Sequence, residues 1–125
     1  MGLKLENKVA VVTGGAKGIG LAISEKLASD GATVYALGRS SDLEIDSDCK
    51  IEYRQCDVSD FESVTTVFNE IQKEAGSIDI LVNNAGITGF LETTGPHDPE
   101  NLDIESWHRV HQVNLDGVAF GCKTA

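Results

Sequence analysis

Apolar positions along this chain change rhythm several times, and each change marks an element. Val9 to Thr13 is a continuous β-branched run, the pattern of a strand covered on both faces. Glycines follow, and then Ile19, Ile23 and Leu27 recur at fourfold spacing, predicting a helix that Gly31 stops. Thr33 to Leu37 reads as a second strand and Ile51 to Cys56 as a third. Asp57-Val58-Ser59-Asp60 offers caps for a helix whose inward face is Phe61, Val64, Phe68, Ile71 and Ala75, with Gly76 closing it. Ile80-Leu81-Val82 predicts a fourth buried strand, running into Asn83-Asn84-Ala85-Gly86.

From Ile87 to Asp103 the text is loop-like, with Gly89, Gly95, Pro96 and Pro99 breaking any period; His97-Asp98 reads as a surface turn there. A last helix begins near Ile104 and carries two apolar stripes. Trp107, Val110, Asn114, Gly117 and Gly121 form one; Ile104, Leu115, Val118 and Cys122 form the other. A helix apolar on two sides expects partners on two sides, and Gly117-x-x-x-Gly121 signals close approach to a neighbour. Strands and helices alternating on this scale imply an α/β fold, a doubly wound parallel sheet with its first four strands in the order 3-2-1-4. The chain, residues 1–125, reads as one domain, incomplete at its C-terminus. Lys123-Thr124-Ala125 brings no stop signal, and the fourth strand lacks an outer neighbour.

Composition narrows the classes. An apolar fraction of 41% with 24% charged residues is that of an ordinary folded protein. Twenty acids against 10 bases give a net charge of −10, which argues against a nucleic-acid partner. No run approaches the roughly 20 apolar residues of a membrane span, and Lys4, Glu6 and Lys8 before the first strand do not fit a signal peptide. Cys49, Cys56 and Cys122 are odd in number without a C-x-x-C pair, so they read as reduced thiols of a cytoplasmic protein. Glu105, His108 and His111 lack a further ligand in register, so no metal site is expected.

The chemistry lies in Thr13-Gly14-Gly15-Ala16-Lys17-Gly18-Ile19-Gly20, where a strand hands over to a helix. The first N–H groups of a helix are unpaired and its dipole favours an anion there. Glycine lets the backbone turn sharply and approach a pyrophosphate. The spacing is T-G-x-x-x-G-x-G, through Gly14, Gly18 and Gly20. In this the chain resembles the short-chain dehydrogenase/reductase family, whose Rossmann fold carries that cofactor signature.

Three further motifs fit the resemblance in order. Asp57-Val58 follows the third strand, where the family sets an acidic side chain against the adenine amino group. Asn84, Ala85 and Gly86 complete an N-N-A-G motif, and Asn114 in Val113-Asn114-Leu115 matches the family's active-site asparagine. The resemblance thus implies cofactor contacts at Gly14, Lys17, Gly18, Ile19, Gly20, Asp57, Val58, Asn84, Ala85 and Gly86. It also implies a small-molecule alcohol or carbonyl substrate, and a homo-oligomer in which the last helix contributes to a subunit contact.

Charge discriminates between cofactors. Sites for NAD(H) place an acid at the end of the second strand, to accept both ribose hydroxyls. Here Gly38-Arg39 stands there, and a guanidinium suits a 2′-phosphate instead. Lys17 supplies a second cation, so NADP(H) is favoured over NAD(H).

The family's Ser and Tyr-x-x-x-Lys are not in this sequence: Tyr35 is followed four residues on by Arg39, and Tyr53 by Asp57. The chain therefore reads as the cofactor-binding part of an NADP(H)-dependent oxidoreductase. The alternative is a non-catalytic dinucleotide-binding or interaction module. The 125 residues alone are expected to fold poorly or to associate; analytical ultracentrifugation with thermal melting checks this, and a sharp, reversible melt of a monomer contradicts it.

Overall fold

Strands β1 (Val9–Thr13), β2 (Thr33–Gly38), β3 (Ile51–Gln55) and β4 (Ile80–Asn83) form one parallel sheet in the order β3-β2-β1-β4. This is the order the sequence predicts. The structure, a computed structural model, describes residues 3–41, 43–87 and 99–125. Helices α1 (Gly18–Ser29), α2 (Phe61–Ala75), α3 (Ile104–His111) and α4 (Gly117–Thr124) complete the architecture. Expectations for residues 88–98, including the His97-Asp98 turn, lie outside the described residues.

All five residues of β1 are buried, because the strand is central and covered on both faces. Val9 and Val11 join Tyr35 and Leu37 against Val64, Phe68 and Ile71 of α2. Ala10 and Val12 join Val34 on the opposite face, where Ile23, Leu27 and Ala28 of α1 close over them. Period-two alternation within one strand thus feeds two separate apolar layers.

Helix ends follow the side chains at hand. Asp60 caps α2 by accepting from the Glu62 N–H at 3.1 Å, and Gly76 ends it with φ +91°. Asp103 caps α3 by accepting from the Ser106 N–H at 2.9 Å. Lys17 stands at the N-cap of α1, and its side chain caps nothing.

Three expectations need correction. Ile19 is 78% exposed and does not extend the inward stripe of α1; Gly20 and Ser24 face the sheet instead. Ile19 and Gly20 are neighbours in the first turn of α1, and it is the glycine that packs against the Gly14 carbonyl at the end of β1. Phe61 is 41% exposed, and Val67 takes the buried place on α2. Phe61 meets Phe120 of α4 edge-on, with centroids 5.3 Å apart.

The third correction concerns the last helix, which runs on from Ile104 to Thr124 but is not α-helical throughout. Gln112–Asp116 makes a π turn, and the Gly117 N–H bonds the Gln112 carbonyl, five residues back. The extra residue rotates the inward face, so Val113, Gly117 and Gly121 are buried while Asn114 and Trp107 are exposed. A Cβ on Gly117 would come within 2.9 Å of Val58, and one on Gly121 within 2.9 Å of Asn83 Oδ1. The glycine pair is therefore a close-contact face. Ile104, Leu115 and Val118 remain exposed, as the second stripe implied. Among the described residues no helix is long and apolar enough to cross a membrane.

The revised face of α2 has a measurable consequence. Phe68→Ala is expected to destabilise by roughly 3–5 kcal/mol. Phe61→Ala, losing mainly an exposed edge contact, should cost only about 1–2 kcal/mol. Urea denaturation separates the two, and equal costs would contradict the assignment.

Candidate functional site

The turn between β1 and α1 is fixed from behind. Thr13, buried at the end of its strand, accepts from the Asn84 and Ala85 N–H groups at 3.0 Å each and donates to the Val82 carbonyl at 3.4 Å. The Asn84 side-chain amide donates to the Gly14 carbonyl at 3.1 Å. The Gly14 N–H reaches the Leu37 carbonyl at 2.8 Å, and Ser24 Oγ donates to the Gly15 carbonyl at 2.9 Å. Three strands and one helix thus hold the short turn between Thr13 and Gly18.

Glycine is required where this turn folds back on itself. A Cβ on Gly20 would collide with the Gly14 carbonyl and the Asn84 amide. Gly18 differs: its φ is +55°, and an added Cβ would meet nothing within 4 Å. The turn is crowded behind and open in front. With α1 uncapped and no acid in its first turn, its leading N–H groups face that open side without an acceptor side chain. Such an arrangement receives an anion, and a backbone cradle of this kind fits a pyrophosphate.

Two adjoining cavities of about 200 and 240 Å³ continue from the turn along the C-terminal ends of the strands. Gly14, Gly38 and Arg39 border both. Asp57, Val58, Ala85 and Gly86 line the first, and Lys17 lines the second. Residues as distant in sequence as Gly14 and Val113 therefore meet in one cleft. Gly18, Ile19 and Gly20 belong to the turn itself, while Asn84 stands behind it as a support. A larger cavity of about 510 Å³ opens at the other end of the strands, between Lys50 and Glu74. It has no glycine turn, and its carboxylates Glu52 and Glu74 are held by Arg54 at 3.4 and 2.7 Å.

Asp57 Oδ1 accepts from both the N–H and the hydroxyl of Ser59, at 3.0 and 2.6 Å. Burial pushes the carboxyl up, but the Ser59 bonds and the fields of Arg109 and Arg39 outweigh it and hold the group below its ordinary value. A depressed folded value means its contribution to folding is complete above the unfolded aspartate value, about 3.9, and is lost as pH falls through the folded one. Arg109 on α3 bonds Ser59 Oγ at 3.2 Å, tying this corner to the last helices.

Asn114 is gathered to the N-N-A-G turn rather than into the cleft. Its amide donates to the Ile87 carbonyl and its Oδ1 accepts from the Ile87 N–H, both at 2.8 Å. The side chain clamps the peptide immediately after Gly86. Tyr35 is buried with Arg54 over its ring, and the Tyr53 hydroxyl donates to the Ser40 carbonyl at 2.7 Å. Among the described residues no three His, Cys, Asp or Glu side chains gather. His111 Nδ1 lies 2.9 Å from the Trp107 carbonyl, with the two rings in contact.

Thr13, Ser59, Tyr53 and Arg109 are the members that sequence reasoning missed as site residues. Thr13 alone carried a signal, a polar residue closing an otherwise apolar buried strand. The partners of the others are set by strand pairing and by a helix far along the chain.

The family profile described as short chain dehydrogenase matches residues 8–125. Among curated proteins, the chain is 35% identical over 127 residues to a 3beta-hydroxysteroid dehydrogenase of Mediterraneibacter gnavus, covering 96% of this chain and 44% of that protein. It is 37% identical over 126 residues to an NADP-dependent (R)-specific alcohol dehydrogenase of Lentilactobacillus kefiri, covering 96% of this chain and 48% of that one. The ligand-free aldohexose dehydrogenase of Thermoplasma acidophilum superposes with a TM-score of 0.84 at 34% identity, covering 100% of this chain and 45% of the other. The chain spans about half the length of these relatives.

The hydroxyl that joins β1 to the N-N-A-G turn is open to test. Thr13→Val keeps the shape but strands two N–H groups, and is expected to destabilise by roughly 1–3 kcal/mol. Thr13→Ser should recover most of that loss. Chemical denaturation checks both, and an equal loss for serine would assign the effect to the methyl group.

Proposed function

The chain belongs to the short-chain dehydrogenase family, and we propose that its cleft binds NADP(H) in preference to NAD(H), for hydride exchange with an alcohol/carbonyl pair. The observation that carries the cofactor preference is a pair of unpartnered cations. Lys17 and Arg39 border the same cavity, and neither takes part in an ion pair among the described residues. In a chain with twice as many acids as bases, two bases bordering a cavity with no carboxylate among its described lining residues suit a phosphomonoester. The relative from Lentilactobacillus kefiri is itself NADP-dependent, which supports the same reading.

Within this proposal each part of the cleft has one task. Gly14, Gly18, Ile19 and Gly20 would take the pyrophosphate at the uncapped start of α1. Asp57 and Val58 would hold the adenine, the ionised carboxylate accepting its amino group. Ala85 and Gly86, set by Asn84 and Thr13, would border the ribose beyond the pyrophosphate. Arg39 and Lys17 would hold the 2′-phosphate. The bound nicotinamide supplies or accepts the hydride. Asn114 would act at the substrate side by fixing the Ile87 backbone. The exposed Ile104, Leu115 and Val118 support assembly through the last helices as a homo-oligomer.

A second reading, a dinucleotide-binding module without turnover, is favoured by one observation: these residues include no Tyr-x-x-x-Lys. Both readings predict that the 125 residues by themselves do not oxidise NADPH with a ketone. They part on the whole protein, where ketone-dependent NADPH oxidation is expected and its absence would favour the module.

Calorimetric titration tests the preference. NADPH is expected to bind at least about tenfold more tightly than NADH, the scale of one charge-assisted contact. Arg39→Asp should reverse the order by removing the guanidinium and restoring an acceptor for ribose hydroxyls. Equal binding of the two cofactors by the unaltered protein overturns the preference.

A further inference from the structure

β2 ends at Gly38, yet the residues after it stay fastened to the neighbouring strand. The Cys56 N–H donates to the Gly38 carbonyl at 2.7 Å, the last backbone rung between β2 and the chain leaving β3. Beyond that rung, side chains of β3 take over. Gln55 Nε2 donates to the Arg39 carbonyl at 3.0 Å, and the Tyr53 hydroxyl donates to the Ser40 carbonyl at 2.7 Å. Parallel register puts Tyr53 opposite Ala36 and Gln55 opposite Gly38, so both side chains rise on one face beneath the departing segment.

Gly38 keeps that face clear, since a Cβ there would stand 2.9 Å from the Tyr53 hydroxyl. Tyr53 and Arg39 also border the same cavity as Lys17. Two consecutive carbonyls are thus turned toward β3 and held, while the Arg39 side chain has no ion-pair partner among the described residues.

We propose that Tyr53 and Gln55 are positioning residues for cofactor selectivity, fixing the Arg39–Ser40 backbone so that Arg39 meets a 2′-phosphate already in place. The inference rests on the NADP(H) reading and deepens it. Neither residue needs to touch the cofactor. Each acts by ordering a surface segment before binding, so that less conformational freedom is lost when the phosphate arrives. Burial raises the Tyr53 hydroxyl above the usual tyrosine range, outweighing the opposing effect of the Ser40 bond, so it remains a donor at working pH.

The test is a binding cycle on the whole protein, with NADPH and NADH titrated by calorimetry and melting temperature recorded alongside. Tyr53→Phe deletes one oxygen and keeps the ring. It is expected to weaken NADPH roughly threefold to tenfold, the scale of one hydrogen bond, and to change NADH less than about twofold. In an Arg39→Ser background the same change should leave the NADPH-to-NADH ratio unmoved, because the residue being positioned is gone. Gln55→Met, at an exposed position, gives a second and milder variant with the same selectivity pattern.

Gly38→Ala should mimic Tyr53→Phe by displacing the hydroxyl, and should add little to it. If unaltered protein prefers NADPH but Tyr53→Phe and Gln55→Met weaken both cofactors alike, or neither, the positioning role is overturned and the cofactor reading stands. If the unaltered protein shows no preference, the cofactor reading itself fails, and this inference with it.

Discussion

Gly20 packs so tightly against the Gly14 carbonyl that it cannot carry a side chain, and much of the site follows from that contact. The first turn of α1 can fold down onto the end of β1 only because the Gly14 carbonyl and Gly20 Cα share a space where a methyl group would not fit. Once there, the turn is held by Thr13, Asn84 and Ser24 through hydrogen bonds from three directions. Rigidity behind and open space at Gly18 in front make an anion site that need not reorganise on binding. Such preorganisation strengthens what backbone dipoles can do, since the cost of orienting them is met during folding.

The helix ends reinforce this. Two of the helices begin under an aspartate that satisfies their leading N–H groups, while α1 begins under a lysine that does not. The same asymmetry appears in the charges. Arg54 and Lys26 are engaged by carboxylates, and Arg109 by Ser59, whereas Arg39 and Lys17 beside the cleft have no ion-pair partner among the described residues. An acidic protein has thus kept an acceptor-poor, cation-bearing corner at one end of its sheet. That corner is a local property of a few residues and could not be inferred from net charge.

Much of the architecture was legible because buried parallel strands write continuous apolar runs. β1, β2 and β4 were readable to within a residue, and glycines marked the helix ends. What misled was the assumption that apolar periodicity always points inward. Ile19 keeps the period of α1 and Phe61 that of α2, yet Gly20 and Val67 take the buried places. The π turn at Gln112–Asp116 leaves no periodic trace; it shifts the buried face by one residue, so that Val113 is buried instead of Asn114. Glycine spacing pointed to the front of the site. Its supports at Ser59, Tyr53 and Arg109 depend on register and on contacts between distant segments, which no local pattern encodes.

The pairing of β1 with β4 also sets an order in time. Thr13 meets its partners at Asn84 and Ala85 across 71 and 72 residues, and Val9 meets Asp79 across 70. A ribosome adding roughly 5–20 residues per second delivers those partners several seconds after the glycine turn has emerged. In that interval β1, α1 and β2 are already available to one another, while one edge of β1 waits without a strand. The nascent protein thus passes through a stage in which the phosphate-receiving turn exists as sequence but lacks its rear wall, and the central strand is open to intermolecular pairing. For this fold, the contacts that give the turn its shape become available only well after the turn itself has been made.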